Sequence, residues 1–123
     1  MNGDLIVKLL KAFPGSFINN NFELIAHSQS NTYLILASIK TEEQLKCRML
    51  EWFSRPAYKT CPYSYEANNK KFHKFMLDGI NKFLGTSFTE DDMVKIYTKL
   101  GNGCNLEKTK EFVRTGYDFK VLE

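Results

Sequence analysis

Cysteines and long apolar runs are both scarce in this chain, and each shortage excludes a class of protein. The three cysteines among 123 residues are odd in number and lack paired spacing, so they fit a reducing compartment better than a disulfide framework. No apolar run approaches the roughly 18 residues of a membrane-spanning helix. The residues MNGDLIVKLLKAF have no basic leader before their apolar part, so we expect no signal peptide and a cytoplasmic protein.

Sequence signatures of common catalytic sites are also missing. No G-x-S-x-G surrounds a serine, and Gly101-Asn102-Gly103 lacks the Lys-Ser/Thr of a phosphate-binding loop. Cys61 and His73 could meet in the fold, but no family-type cysteine signature surrounds them. The acidic groups Glu42-Glu43 and Glu90-Asp91-Asp92 fall in the first turns of predicted helices, where the helix dipole favours acids. We therefore predict that the protein is not an enzyme.

Aromatic residues, in contrast, are plentiful. Ten Phe and six Tyr contribute to a hydrophobic content of 43%, enough apolar area to offset the conformational entropy of the chain. A chain of this length buries roughly two thirds of its unfolded surface in one hydrophobic core. We expect residues 1–123 to form a single domain.

The pattern of apolar residues predicts an α+β fold. Two β-rich runs, Phe22–Ala26 and Thr32–Ser38, flank a polar loop and indicate an antiparallel hairpin. The second run is apolar on both faces, so we expect it to be the central strand. Strict alternation in Tyr117–Val121 predicts a third, C-terminal strand. The expected fold is a small antiparallel sheet, the hairpin plus the C-terminal strand, packed with four to five helices.

Helix signals account for most of the remaining chain. An amphipathic helix is predicted over Asp4–Phe13, and another starts near Glu66. Thr41 and Gln44 form a capping box for a helix whose buried face includes Trp52. Further N-caps are predicted at Thr89 and Asn105, and glycines in the left-handed conformation are expected to end helices at Gly85, Gly101 and Gly116.

Three cysteines and one histidine are candidates for a metal site. A Cys₃His set suits tetrahedral zinc, and here it would consist of Cys47, Cys61, His73 and Cys104. No C-x₂-C knuckle is present, and a free cysteine is commonly a small buried apolar residue. Structural zinc and ordinary buried thiols therefore both stay open.

The excess positive charge is local. Residues 55–74 carry five basic side chains against Glu66 alone, interleaved with tyrosines. Such a segment can follow a nucleic-acid backbone by charge and stacking, can bind an acidic protein groove, or can be an ordinary solvated loop. The candidate partner-binding residues are Arg55, Tyr58, Lys59, Tyr63, Lys70, Lys71 and Lys74.

The C-terminal helix pair offers a second nucleic-acid hypothesis. Two helices predicted over residues 89–100 and 105–115, joined by a short Gly-containing turn, resemble a helix-turn-helix. The second helix mixes its cations with Glu107 and Glu111. Acids repel phosphates, so this composition is unusual for a recognition helix.

Two blocks of the sequence resemble a family. The block LKCRMLEWFSRPAYK begins at Leu45, and FMLDGINKFLGTSFTEDDMVKIYTKLGNGCN covers residues 75–105. They are similar to small proteins of phages and prophages of Gram-positive bacteria, in which LK-C-x-x-L-E-W-x-S-R-P precedes G-I-N-x-F-L-G-T-x-F-T-x-x-D-M-x-x-I-Y-T-x-L-G-N-G. The match covers about half of the chain and brings no catalytic residue with it.

The resemblance implies a phage accessory protein acting in the cytoplasm of the infected host. Such proteins include anti-CRISPR inhibitors, which are compact single domains that bind a nuclease effector. We therefore expect a non-enzymatic inhibitor that binds a host defence protein, a type II RNA-guided nuclease, and blocks loading of target DNA or guide. The alternative is a small nucleic-acid-binding phage regulator that uses the basic surface or the C-terminal helix pair.

Overall fold

Helices and a small sheet share one hydrophobic core in the computed structural model, which describes residues 3–25, 33–53, 74–101 and 105–123. The helices are α1 (Gly3–Ala12), α2 (Glu42–Trp52), α3 (Lys74–Leu84), α4 (Glu90–Leu100) and α5 (Leu106–Arg114), and the strands are β1 (Phe17–Ile18), β2 (Glu23–Ile25) and β3 (Tyr33–Ile35). A 3₁₀ helix over Phe119–Leu122 follows α5. The predicted α+β class is confirmed.

The predicted hairpin is confirmed as β2 and β3, which pair antiparallel with Leu24 opposite Leu34. The central strand, however, is β2, because β1 pairs with its other edge and gives the order β1-β2-β3. Leu24 and Leu34 are buried on the inner face, whereas Ile35 is 43% exposed. The apolar character of the second run therefore does not mean that both of its faces are covered.

The predicted C-terminal strand is wrong, since the third strand of the sheet is β1. Tyr117 has a φ of 67°, in the left-handed region that an extended strand does not use. Asp118 then caps the 3₁₀ helix by accepting a hydrogen bond from the Lys120 N–H at 3.0 Å. Phe119 packs edge-to-face on Phe88 and Phe112, with ring centroids 5.8 and 5.3 Å apart. The aromatic side chains of Tyr117–Val121 thus pack in an aromatic cluster with Phe88 and Phe112 rather than in a sheet.

The predicted helix N-caps are confirmed. Thr41 and Thr89 each form a complete capping box, with Gln44 and Asp92 as the reciprocal partners, and Asn105 caps α5. Because each box satisfies two backbone N–H groups that would otherwise lack partners, the starts of α2 and α4 are determined locally.

The predicted helix stops are confirmed at all three glycines, since α3, α4 and α5 end within two residues before them, but the left-handed conformation is confirmed at only two. Gly85 and Gly116 have φ values of 70° and 73°. Gly101 has a φ of −59° and is not in the left-handed region. A Cβ at this position would overlap the ring of Tyr97. Gly101 is therefore suited to close side-chain packing rather than to a left-handed turn.

Helix α2 lies at the centre of the core. Leu45, Met49 and Phe53 are fully buried, and Trp52 is partly buried against the same cluster. Phe53 meets Phe13 edge-to-face, with centroids 5.5 Å apart, and α2 packs against α4, α5 and β3. None of the helices in the described ranges has both the length and the apolar character that crossing a membrane requires.

Candidate functional site

Most of the candidate partner-binding and zinc-binding residues lie outside the described residues. These are Arg55, Tyr58, Lys59, Tyr63, Lys70, Lys71, Cys61, His73 and Cys104. Lys74 is the first residue of α3, and Cys47 lies in the middle of α2. The structure therefore places the two ends of the basic segment and one of the four proposed metal ligands.

Both ends of the basic segment are attached to the core. On the N-terminal side, Phe53 is fully buried and donates its backbone N–H to the Met49 carbonyl at 2.8 Å. On the C-terminal side, the first turns of α3 bury Met76 at 7% exposure and Ile80 completely. Residues 54–73 thus connect two helices that are held by packing.

The described part of the chain is electrically balanced. It holds equal numbers of basic and acidic side chains, 13 of each. Residues 54–73 hold four basic side chains and one acid. The whole formal charge of +3 therefore resides in this one segment, which concentrates long-range attraction for an anionic partner there.

Ion pairs occupy two cations of the proposed recognition helix. Arg114 donates to both carboxylate oxygens of Glu43, at 2.8 and 3.2 Å, and the Lys110 ammonium lies 3.7 Å from Glu107. A recognition helix needs its cations for phosphates and base edges. The Arg114 pair instead ties α5 to α2, which disfavours the helix-turn-helix hypothesis.

A cleft of about 170 Å³ opens between α2 and α5. Three residues of α2 face it at four-residue intervals: Glu43, Cys47 and Glu51. Such spacing places side chains on one face of a helix. The other lining residues are Ser38, Ile39, Gln44, Arg48, Leu106 and Lys110.

Cys47 is poorly suited to bind a metal in this environment. Burial first, and then the nearby carboxylates of Glu51 and Glu43, raise the pKa of its thiol to about 11. Zinc binds the thiolate, so an incoming ion would have to displace a firmly held proton. Within the described ranges, no three His, Cys, Asp or Glu side chains come together as a metal site. The zinc hypothesis stays a prediction that depends on the other three residues.

Glu51 is the unusual member of the cleft. Glu51 is only 5% exposed, and its Oε1 atom has no hydrogen-bond partner among the described residues. Burial raises the pKa of this carboxyl, while Arg48 and a hydrogen bond with Thr109 lower it. Glu51 also lies in the last turn of α2, where the helix dipole disfavours negative charge. Ionised Glu51 therefore destabilises the fold.

We predict a distinctive pH dependence for Glu51→Gln. Because the folded-state pKa of Glu51 is raised above its ordinary 4.5, the folded state binds this proton more tightly, and stability falls as pH rises through the raised pKa. Glu42 and Glu43 have lowered pKa values and act in the opposite direction, so the difference between the two proteins is the informative quantity. Urea unfolding is measured from about pH 4 to pH 8. The free energy of unfolding of the variant, relative to that of the native protein, should increase as the pH rises. Parallel curves would contradict this account.

Several residues of the segment 75–105 have architectural roles where the structure describes them. Asn81 joins the end of α3 to the start of α4: its Oδ1 accepts from the Thr86 hydroxyl and the Phe88 N–H, both at 2.8 Å, and its Nδ2 donates to the Phe88 carbonyl at 3.0 Å. Gly79 leaves room for Phe13, and Thr89 caps α4. These contacts give Gly79, Asn81 and Thr89 roles in folding.

Comparison with family models, curated proteins and solved structures gives no match for this chain.

Sequence reasoning missed the α2–α5 cleft. The available signal was Glu43, Cys47 and Glu51 at four-residue spacing, which puts two acids and a thiol on one helical face. That spacing does not reveal which helix covers the face, because α5 is more than 50 residues further along the chain. Neither does it show that one carboxylate oxygen is left without a partner.

Proposed function

We propose that this chain is a non-enzymatic, phage-encoded inhibitor that binds a host defence protein in the cytoplasm of the infected bacterium. The proposed partner is a type II RNA-guided nuclease, and the proposed mechanism is occlusion of the groove that receives target DNA or guide. The sequence resemblance supports the phage source. The mode of binding rests on one observation: the whole charge excess lies in residues 54–73, between two helices that are anchored in a neutral core.

An inhibitor needs charge complementary to that of its partner and a few anchoring side chains. In this proposal the basic segment therefore contacts an acidic surface of the nuclease beside the groove that receives nucleic acid. Tyr and Arg are enriched among residues that dominate binding energy. In this proposal the contact residues are Arg55, Tyr58, Lys59, Tyr63, Lys70, Lys71 and Lys74. Segments attached at both ends lose less conformational freedom on binding than free tails do.

Charge reversal at Lys70, Lys71 and Lys74 should weaken inhibition at least tenfold, since each reversed charge replaces attraction by repulsion across the interface. Inhibition is measured as DNA cleavage by a guide-loaded type II nuclease with increasing amounts of protein. The matched control reverses three exposed lysines of the described part, Lys11, Lys95 and Lys120, which changes net charge equally. Equal potency of the native protein and the Lys70, Lys71 and Lys74 variant would remove these residues from the interface.

A salt titration separates the inhibitor from a nucleic-acid-binding regulator. Direct affinity for duplex DNA that falls steeply with salt would support the regulator, because phosphate contacts release counterions. Co-elution with the nuclease, without DNA affinity, supports the inhibitor. The paired state of Arg114 favours the inhibitor, since it leaves α5 with fewer cations for phosphate contacts.

A further inference from the structure

An open groove of about 400 Å³ lies between α4 and the 3₁₀ helix of Phe119–Leu122. Its apolar lining consists of Val94, Phe119 and Leu122, and its basic lining residues, Lys95 and Lys99, belong to α4. Small-molecule sites in proteins are typically concavities of roughly 300–1,000 Å³ with a mainly apolar lining and a few charged or polar groups. The groove has these properties, and it is separate from the basic segment and from the proposed contact with a host protein.

The apolar lining of the groove is attached to the core. Leu122 is 3% exposed and Val94 is 36% exposed, so the lining extends from the core to the surface. Phe119 packs edge-to-face on Phe88 and Phe112, and these contacts fix the orientation of its ring. A ligand therefore meets a preformed apolar surface and does not have to order it on binding.

The charges of the groove favour an anionic group on the α4 side. Lys95 and Lys99 are four residues apart, a spacing that places both on one face of the helix. Lys95 forms no ion pair with any other residue in the described ranges. Glu123 lines the groove just past the 3₁₀ helix and repels an anion on that side. An anionic group is thus directed towards α4.

We propose that this groove binds a medium-chain aliphatic carboxylate, a free fatty acid such as octanoate. The carboxylate accepts a hydrogen bond from the Lys95 ammonium, the charge of Lys99 adds to the attraction, and the alkyl chain lies along the apolar lining. Thr98 also lines the groove, but its hydroxyl already donates to the Val94 carbonyl at 2.7 Å. A hydroxyl-rich ligand such as a sugar therefore gains little here, whereas removal of methylene groups from water favours an alkyl chain.

The test is an NMR titration of the isotope-labelled protein with octanoate to about 10 mM, because ligands of so few atoms bind weakly. The backbone amide signals of Val94, Lys95 and Leu122 should shift and saturate. Butanoate should bind about tenfold more weakly or worse, because its shorter chain buries fewer methylene groups. Octylammonium keeps the chain and reverses the charge, so it should bind about threefold more weakly or worse.

Two variants and their matched controls locate the site. Val94→Glu places a charge in the apolar lining and should weaken octanoate binding about tenfold or more, whereas Val7→Glu, at a valine of α1 that is 48% exposed, should not change it. Lys95→Glu should weaken octanoate binding about threefold or more and strengthen octylammonium binding. Lys11→Glu, on α1, changes the net charge equally and should leave both affinities unchanged.

Thermal unfolding of each variant verifies that it folds, and Val94→Gln replaces Val94→Glu if the latter does not. Three results would overturn the proposal: no saturable shifts at the groove amides, butanoate or octylammonium binding as tightly as octanoate, or equal losses for Val7→Glu and Val94→Glu, which would mean adsorption to any exposed apolar residue. Charge reversal at Lys70, Lys71 and Lys74 should leave octanoate binding unchanged, so this proposal and the proposed function can fail separately.

Discussion

Asn81→Ala should lower the free energy of unfolding by about 3 kcal/mol, because the substitution removes three hydrogen bonds and leaves partly buried backbone groups unpaired at a cost of about 1–3 kcal/mol each. The Phe88 N–H and carbonyl both lose their partner, and so does the Thr86 hydroxyl. Such a loss is a large share of the total stability of a small domain. The expected fall in Tm is roughly 10–15 °C.

Asn81→Asp is the matched control for this change. The aspartate keeps the acceptor that serves Thr86 and Phe88 but cannot donate to the Phe88 carbonyl. Asn81→Asp should therefore lower the free energy of unfolding by about half as much as Asn81→Ala does, on the order of 1–2 kcal/mol. Urea unfolding followed by circular dichroism measures both variants. A loss below about 1 kcal/mol for alanine would show that the α3–α4 connection does not depend on this side chain.

Gly79→Leu should lower the free energy of unfolding at least as much as Asn81→Ala, by about 3 kcal/mol, or should prevent folding. A Cβ on Gly79 would overlap the ring of Phe13, which is fully buried and has no room to retreat. Overpacking of a core typically costs about 1–3 kcal/mol, and more when the neighbour is rigid. Thermal unfolding measures the effect.

Two further variants show whether the contact with Phe13 causes the loss. Gly3→Leu places the same side chain in α1, where nothing lies within 4 Å of the new Cβ, so its stability should change little. Phe13→Leu replaces the opposing ring with a smaller side chain. The double variant with Phe13→Leu and Gly79→Ala should lose less free energy of unfolding than the two single variants lose when added together. Strictly additive losses would mean that Gly79 acts through the helix backbone instead.

The features predicted correctly from the sequence are those determined by a few neighbouring residues. Thr41 with Gln44 and Thr89 with Asp92 form capping boxes whose partners are three residues apart, so the pattern contains the whole interaction. The hairpin follows from two apolar runs of strand-forming residues around a polar loop. In each case tertiary packing agrees with the local preference.

The errors arise where distant residues decide the outcome. Tyr117–Val121 alternates like a strand, but its aromatic side chains pack on Phe88 and Phe112 and the chain turns at Tyr117. Strand β1 has only two residues, too few to show a period. Asn81 bonds to groups five and seven residues away. Glu51 is buried although it is charged, and the helix that lines the same cleft, α5, is far along the chain.

The pairing of α2 with α5 has a consequence for the order in which the chain folds. Glu43 and Arg114 are 71 positions apart, and α5 covers a face of α2 that holds Cys47 and Glu51. Contacts between residues so far apart in sequence form late, because the intervening chain must first be brought together. During synthesis this face of α2 remains uncovered until α5 has emerged from the ribosome, so it cannot reach its native packing before the chain through Arg114 has been made.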